Sequence, residues 1–188
     1  MKKNHIKTAV ILVLVFLSVS CSAQERGSSA SSMASAFTQA RIPLLRQAAE
    51  ARDFSLPLVS GNGDTLSLSD LRGQVVFVNF WATWCAPCRD EMPSMESLYR
   101  QFRDRGLEII AVNIQENEQD VADFMRDYGL TFPALLDLNG RVSSNYGVQA
   151  IPTSYLIDRE GNIVVRKVGS IDWDTQEIRS AIEMLLNQ

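Results

Sequence analysis

Val75-Val76-Phe77-Val78-Asn79-Phe80 is an apolar run of strand length, and it leads into Trp84-Cys85-Ala86-Pro87-Cys88. From Arg89 to Arg105, polar and apolar residues then recur at helical spacing. The order strand, Cys-x-x-Cys, helix constrains the fold more than any other stretch, because it sets both thiols where a strand hands over to a helix.

With Cys85 at the head of that helix, its sulfur faces backbone N–H groups that have no intrahelical partner. The positive end of the helix dipole stabilises a thiolate there, and such sites lower a cysteine pKa from about 8.5 into the range ~3.5–7.5. The thiolate is the attacking species in disulfide exchange, so Cys85 is the expected nucleophile. Cys88 lies on the same face of the first turn, where Cβ atoms are roughly 5–6 Å apart. A disulfide needs about 3.5–4.5 Å, so a small local adjustment closes the bridge. Cys88 is then the resolving thiol, which attacks the mixed disulfide and releases the substrate. Pro87 suits a first helical turn, whereas Pro93 lies inside the helical pattern and is expected to kink it.

Other uses of two cysteines fit less well. Zinc takes about four ligands. The remaining cysteine, Cys21, and the single histidine, His5, both lie in a segment that reads as a leader, so neither a metal site nor a bound cofactor is expected. A haem attachment motif needs histidine after the second cysteine, and Arg89 stands there. A purely structural bridge would close too small a loop to stabilise much.

The stretch Asn79-Phe80-Trp81-Ala82-Thr83-Trp84-Cys85-Ala86-Pro87-Cys88-Arg89-Asp90-Glu91-Met92-Pro93 resembles the active-site segment of the thioredoxin superfamily. More narrowly it is similar to the TlpA/ResA-like envelope thiol–disulfide oxidoreductases, whose thioredoxin domain is of the AhpC/TSA-redoxin type. The likeness runs from Ala51 to Gln188. Ile151-Pro152-Thr153 resembles the superfamily's second signature, in which a cis proline lies opposite the cysteine pair and the backbone beside it pairs with substrate. The resemblance therefore implies a redox disulfide between Cys85 and Cys88, with Trp84, Ile151 and Pro152 binding substrate. It implies a three-layer α/β thioredoxin-like fold, with a central mixed β-sheet flanked by helices, an added N-terminal β-hairpin and a β-α insertion. Cytoplasmic thioredoxins hold a buried aspartate where this chain has Asn79. The TlpA/ResA-like proteins place a glutamate three residues after the second cysteine, and Glu91 stands there. The resemblance thus implies a proton relay at Glu91; spacing alone favours a solvated first-turn glutamate, stabilised by the helix dipole.

Met1 to Ala23 reads as an export signal, with Lys2, Lys3 and Lys7 ahead of the unbroken apolar run Ala9 to Leu17. That run fits a signal core of roughly 7–15 residues and is short for a membrane span. An uncleaved anchor is the alternative, since Ser18 to Ser20 are only weakly polar. Two cleavage readings compete. A cut before Cys21, with lipid attached there, follows the bacterial lipoprotein pattern, although Ser18 replaces its usual leucine. A cut after Ala23 uses Cys21-Ser22-Ala23 as the small-x-small site. The first is favoured, because the second leaves a lone thiol beside the cut. Either cut leaves 15 basic against 22 acidic residues, which argues against nucleic acid as a partner.

Residues 24–50 are expected to be a Ser/Ala-rich tether and a partly helical connector interrupted by Pro43, and residues 51–188 the domain. Asp53 to Leu71 predicts a hairpin, with Gly61-Asn62-Gly63-Asp64 as its turn and Leu66 and Leu68 alternating on the return. Met92, Met95, Tyr99 and Phe102 form a core stripe on the first long helix. Leu107 to Ile114 predicts the second central strand, Asn117 to Tyr128 a crossover helix, and Thr131 to Leu136 a short strand. Asp137 to Gly140 turns into a short helix ending at Tyr146-Gly147. Thr153 to Ile157 and Ile163 to Val165 form a hairpin, and Asp174 to Asn187 the last helix, preceded by Trp173 as a packing residue.

The expected function is thiol–disulfide exchange in the bacterial envelope, with protein disulfides as substrates and reduction as the favoured direction. By resemblance, electrons would come from a membrane-bound donor of the DsbD/CcdA type, the N-terminal lipid or anchor would hold the chain at the membrane, and cytochrome c maturation or general redox homeostasis would be served. Two alternatives stand beside it. One is a thiol peroxidase, since the hairpin-to-cysteine region also resembles peroxiredoxins; those place a proline and a threonine ahead of the reactive cysteine, where Val78 and Ala82 precede Cys85, and Trp81 and Cys85 precede Cys88. The other is a non-catalytic binding module with a fixed bridge.

Overall fold

The computed structural model describes residues 31–42, 44–59 and 63–188. The expected leader with Cys21, the first part of the expected tether, Pro43, and Gly61 and Asn62 of the hairpin turn lie outside the described residues.

The first described residues, 31–39, are helical, here α1. The strands are β1 (Ala49–Glu50), β2 (Ser55–Pro57), β3 (Thr65–Ser67), β4 (Val75–Trp81), β5 (Leu107–Ile114), β6 (Ala134–Asp137), β7 (Thr153–Ile157) and β8 (Asn162–Val168). The later helices are α2 (Ala86–Phe102), α3 (Glu118–Asp127), α4 (Arg141–Asn145) and α5 (Gln176–Leu186). Six strands form one sheet in the order β1-β8-β7-β4-β5-β6. Strands β4, β5 and β6 run parallel, joined by helical crossovers; β7, β8 and β1 add on antiparallel. Strands β2 and β3 make the added hairpin, which lies against β6 through a bridge between Leu58 and Leu135. This is the mixed sheet with flanking helices that the sequence predicts.

Strand β4 is buried along its whole length, as a central strand covered on both faces must be. Successive side chains point to opposite faces. Val75, Phe77 and Trp81 pack with α1, α2, α3 and α5, while Val76, Val78 and Phe80 pack with the hairpin and the residues around α4. Asn79 shares the alternation of Phe77 and Trp81, so a polar amide is set beneath α2.

Three local readings need correction. Residues 33–50 do not stand apart from the domain: Phe37 and Ile42 are each 1% exposed in the core, and Ala49–Glu50 pairs with β8. Apolar side chains at helical spacing join the core cluster to which α5 contributes Ile182 and Leu185. Leu68 is not on the return strand but begins a 3-10 turn, Leu68–Leu71. Asp53 accepts hydrogen bonds from the Phe54 and Ser69 N–H groups at 2.9 and 3.0 Å, which draws the chain into that turn. Finally, β6 starts at Ala134 rather than Thr131, because the Glu96 carboxylate takes both the N–H and the hydroxyl of Thr131 at 2.8 and 2.7 Å. Helix α2 continues through Pro93 as one element.

Candidate functional site

Cys85 is the N-cap of α2, extended at φ −80° and ψ 102°, and its sulfur accepts the Cys88 N–H at 3.3 Å. The sequence folds this way because Pro87, which lacks an N–H, occupies the first turn without losing a helical bond. Cys85 and Cys88 are joined by a disulfide with Cα atoms 5.2 Å apart. Both are buried, Cys88 fully and Cys85 to 4% exposure. Trp84, the residue before the pair, is 69% exposed.

The Ile151–Pro152 peptide is cis, and Pro152 leads into β7 beside β4. Trp84 and Ile151 line a cleft of about 530 Å³ together with Gln115 and residues of and around α4, among them Ser144, Gly147 and Val148. Of the residues the sequence marks for substrate, Trp84 and Ile151 therefore share one cleft; Pro152 adjoins it in sequence and is buried.

Glu91 occupies the buried stripe of α2 with Cys88, Met92 and Met95, and is 1% exposed. A solvated first-turn glutamate is thereby excluded. Its carboxylate accepts Asn79 Nδ2 at 2.8 Å and Trp173 Nε1 at 3.0 Å. Asn79 Nδ2 also donates to Ser154 Oγ at 2.9 Å. Burial is the dominant influence on the acid and pushes its pKa up to about 7 from 4.5; the bonds from Trp173, Asn79 and the Ile171 backbone, and the charge of Lys167, pull the other way without cancelling it. Trp173 is buried as expected, its ring against Phe77 with centroids 4.5 Å apart. Its contact with Glu91 was not legible, and neither were those of Asn79 and Ser154. Ser94 helps fix the tryptophan by accepting its backbone N–H at 3.0 Å.

A dithiol–disulfide pair at a helix N-terminus can cycle by thiol exchange, and a carboxyl group half-ionised near neutrality can take up or give back the proton that exchange moves. Fold and site together define a thioredoxin-like protein with a Cys-x-x-Cys disulfide. The chain belongs to the AhpC/TSA family, whose model matches residues 48–166.

Among known proteins it is similar to the thiol-disulfide oxidoreductase ResA of Bacillus subtilis, 44% identical over 110 residues, which is 58% of this chain and 62% of the relative. It is similar to the thioredoxin-like protein YneN of the same species, 42% identical over 130 residues, 68% of this chain and 74% of the relative. The chain thus spans about three fifths of the length of the Bacillus ResA proteins it matches, 62% in the first of them. Among solved structures, one from Chlorobium tepidum assigned as the thiol:disulfide interchange protein DsbE superposes with TM-score 0.68 at 34% identity, covering 76% of this chain and 99% of that one. StoA from Bacillus subtilis superposes with TM-score 0.58 at 30% identity, covering 71% and 99%.

Proposed function

We propose that this chain is a thiol–disulfide oxidoreductase that reduces disulfides in other proteins. The observation that carries the reading is the placement of Cys85 as the cap of α2, bonded to Cys88 and accepting its N–H. In the reduced form, the Cys85 thiolate attacks one sulfur of a substrate disulfide and expels the other as a thiolate. Cys88 then loses its proton and attacks the Cys85 sulfur of the mixed disulfide. The second substrate sulfur leaves as a thiolate, and the Cys85–Cys88 bridge re-forms. Two electrons pass to the substrate, and each departing thiolate takes a proton. Glu91, three residues along α2 from Cys88, receives the Cys88 proton, a role supported by its burial and raised pKa. Trp84 and Ile151 hold the substrate chain beside the cysteines, and the buried cis Pro152 acts through the backbone next to it.

The finer reading follows resemblance. The chain works in the bacterial envelope, held by lipid on Cys21 or by an N-terminal anchor, and is recharged by a membrane-bound donor of the DsbD/CcdA type. Its substrates include proteins of cytochrome c maturation or of general envelope redox homeostasis. Labelling with a palmitate analogue tests the lipid; an unlabelled wild-type chain removes it.

Insulin reduction combined with a redox titration tests the activity. A potential near about −270 mV supports a reductant, and one near about −120 mV an oxidant. A thiol peroxidase is the second reading, favoured by the AhpC/TSA family membership. Rapid turnover of hydrogen peroxide without insulin reduction would establish it in place of the first. A bridge that resists dithiothreitol in the folded protein would leave only a binding module.

A further inference from the structure

We propose that Glu116 is a positioning residue for disulfide exchange, clamping the Trp84 wall of the substrate cleft to the Gln115 wall; the kinetic part rests on the function proposed above. The Glu116 carboxylate accepts three hydrogen bonds. Thr83 supplies two, from its N–H at 2.7 Å and its hydroxyl at 2.5 Å, and Asn113 Nδ2 supplies the third at 2.6 Å. Thr83 immediately precedes Trp84 and stands two residues before Cys85, whereas Asn113 belongs to β5. One side chain therefore ties the turn that carries the tryptophan and the nucleophile to the end of the adjacent strand.

The backbone is bent to allow this. Gln115 has φ +58°, in the left-handed region that a residue with a Cβ seldom enters. Such a conformation persists only where its surroundings over-determine it. Here the Gln115 N–H is held by the Asp137 carbonyl at 3.1 Å, and the Gln115 side chain lies close against Gly140, where an added Cβ would meet it at 3.3 Å. Gln115 and Trp84 both line the cleft. Trp84 is largely exposed, so its position depends on the backbone beneath it, and Glu116 holds that backbone one residue earlier, at the Thr83 N–H.

Glutamine at position 116 can reproduce the arrangement. Its carbonyl can accept the Thr83 N–H and Asn113 Nδ2, while its amide donates to a turned Thr83 hydroxyl. Alanine can do none of this. The full-length protein, reduced, is assayed on insulin, whose chain must enter the cleft, and on hydroxyethyl disulfide, which is too small to need it. In Glu116→Ala, kcat/KM for insulin is expected to fall by roughly ten- to a hundredfold, mostly through KM, with hydroxyethyl disulfide within about twofold of wild type. Glu116→Gln restores insulin turnover. An equal loss on both substrates, or no loss on insulin, overturns the proposal.

A second readout is independent of activity. Of the three tryptophans, Trp81 and Trp173 are fully buried, so acrylamide-quenchable fluorescence reports Trp84. Its anisotropy is expected to drop in Glu116→Ala and to recover in Glu116→Gln; unchanged anisotropy in the alanine variant overturns the clamp. Should that variant fail to fold, Thr83→Val keeps the N–H bond and removes only the hydroxyl bond. A partial drop in anisotropy then supports the clamp, and no drop overturns it. If wild type reduces neither disulfide, the functional reading fails, while the anisotropy still decides the clamp.

Discussion

Glu91 is the residue at which burial, charge and chemistry meet. Its folded pKa stands at about 7 against 4.5 in an exposed chain, raised by burial. Between those values the folded state holds a proton that the unfolded state has released, so stability falls as pH rises through this window. Complete ionisation costs about 3 kcal/mol relative to acid conditions, at ~1.4 kcal/mol per unit. Urea unfolding at pH 4.5 and pH 7.5 should therefore show a decline that Glu91→Gln removes; an identical decline in the variant would mean other groups carry it. Trp173→Phe deletes the indole donor at 3.0 Å, which favours the carboxylate. The upper edge of the window should move to higher pH by about one unit or more while the lower edge stays, since a hydrogen bond to a charged group contributes ~1.5–3 kcal/mol. In the proposed mechanism, the pH profile of Cys88 alkylation moves with it in Trp173→Phe and is altered in Glu91→Gln. Only part of this network was readable in the sequence. Cys85 and Cys88 are legible from their spacing at the head of one helix, whereas Glu91 was marked only by the family resemblance, because spacing alone favoured a solvated glutamate. Asn79 and Trp173 reach Glu91 across 12 and 82 residues, and Asn79 reaches Ser154 across 75. Those separations carry no local periodicity, so only the sheet register and the seat of the last helix bring the residues together.

Among elements, α4 depends most on a single side chain. At five residues it is too short to be stable by propensity. Asp137, buried at the end of β6, accepts the Val142 and Ser143 N–H groups at 3.2 and 2.8 Å and so satisfies donors at the helix start. Behind it, Val142 and Tyr146 pack on the hairpin side of the sheet, Tyr146 against Phe80 at 5.4 Å between ring centroids. Asp137→Ala leaves those donors without their acceptor and should destabilise the protein by about 2 kcal/mol or more. Because Ser143, Ser144 and Gly147 line the cleft, the same variant should raise KM for a protein disulfide more than it lowers kcat. Urea titration and insulin kinetics check the two halves; a variant as stable as wild type would leave the helix held by packing alone. The sequence marked this short helix by its turn residues, Asp137 to Gly140, and its end at Gly147. It did not mark the dual place of Asp137, because an aspartate that opens Asp137-Leu138-Asn139-Gly140 reads first as a turn residue. Leu68 misled in the same way: its apolar alternation fitted a strand, and the bonds to Asp53 that make it a 3-10 turn are not periodic.

At the scale of the whole molecule, the central strands and flanking helices could be placed from apolar runs and helical spacing between turns, while the mixed sheet that joins them was what the family resemblance implied. The N-terminal limit of the domain did not. Ser- and Ala-rich composition and Pro43 suggested a connector, yet Phe37 and Ile42 fill the core beside α5, and Ala49–Glu50 covers the outer edge of β8. The link is reinforced by the Leu45 N–H to the Val164 carbonyl at 2.8 Å and the Ala51 N–H to the Gly161 carbonyl at 2.9 Å. A chain beginning at residue 51 should therefore lose both of those buried side chains, at about 1.5–3 kcal/mol each, and expose an unpaired strand edge. A chain beginning at residue 31 keeps them. The shorter protein is expected to unfold at several kcal/mol less in urea and to self-associate through β8, seen as concentration-dependent light scattering. The cysteine pair, Glu91, Asn79, Ser154 and Trp173 all lie after residue 51, and the bridge and hydrogen bonds described above join them to one another rather than to α1 or β1. Insulin reduction per folded molecule should accordingly match the longer chain at low temperature and fail first on warming. Equal urea midpoints for the two chains would show that α1 and β1 add no stability, and a loss of activity at equal foldedness would show that they shape the site.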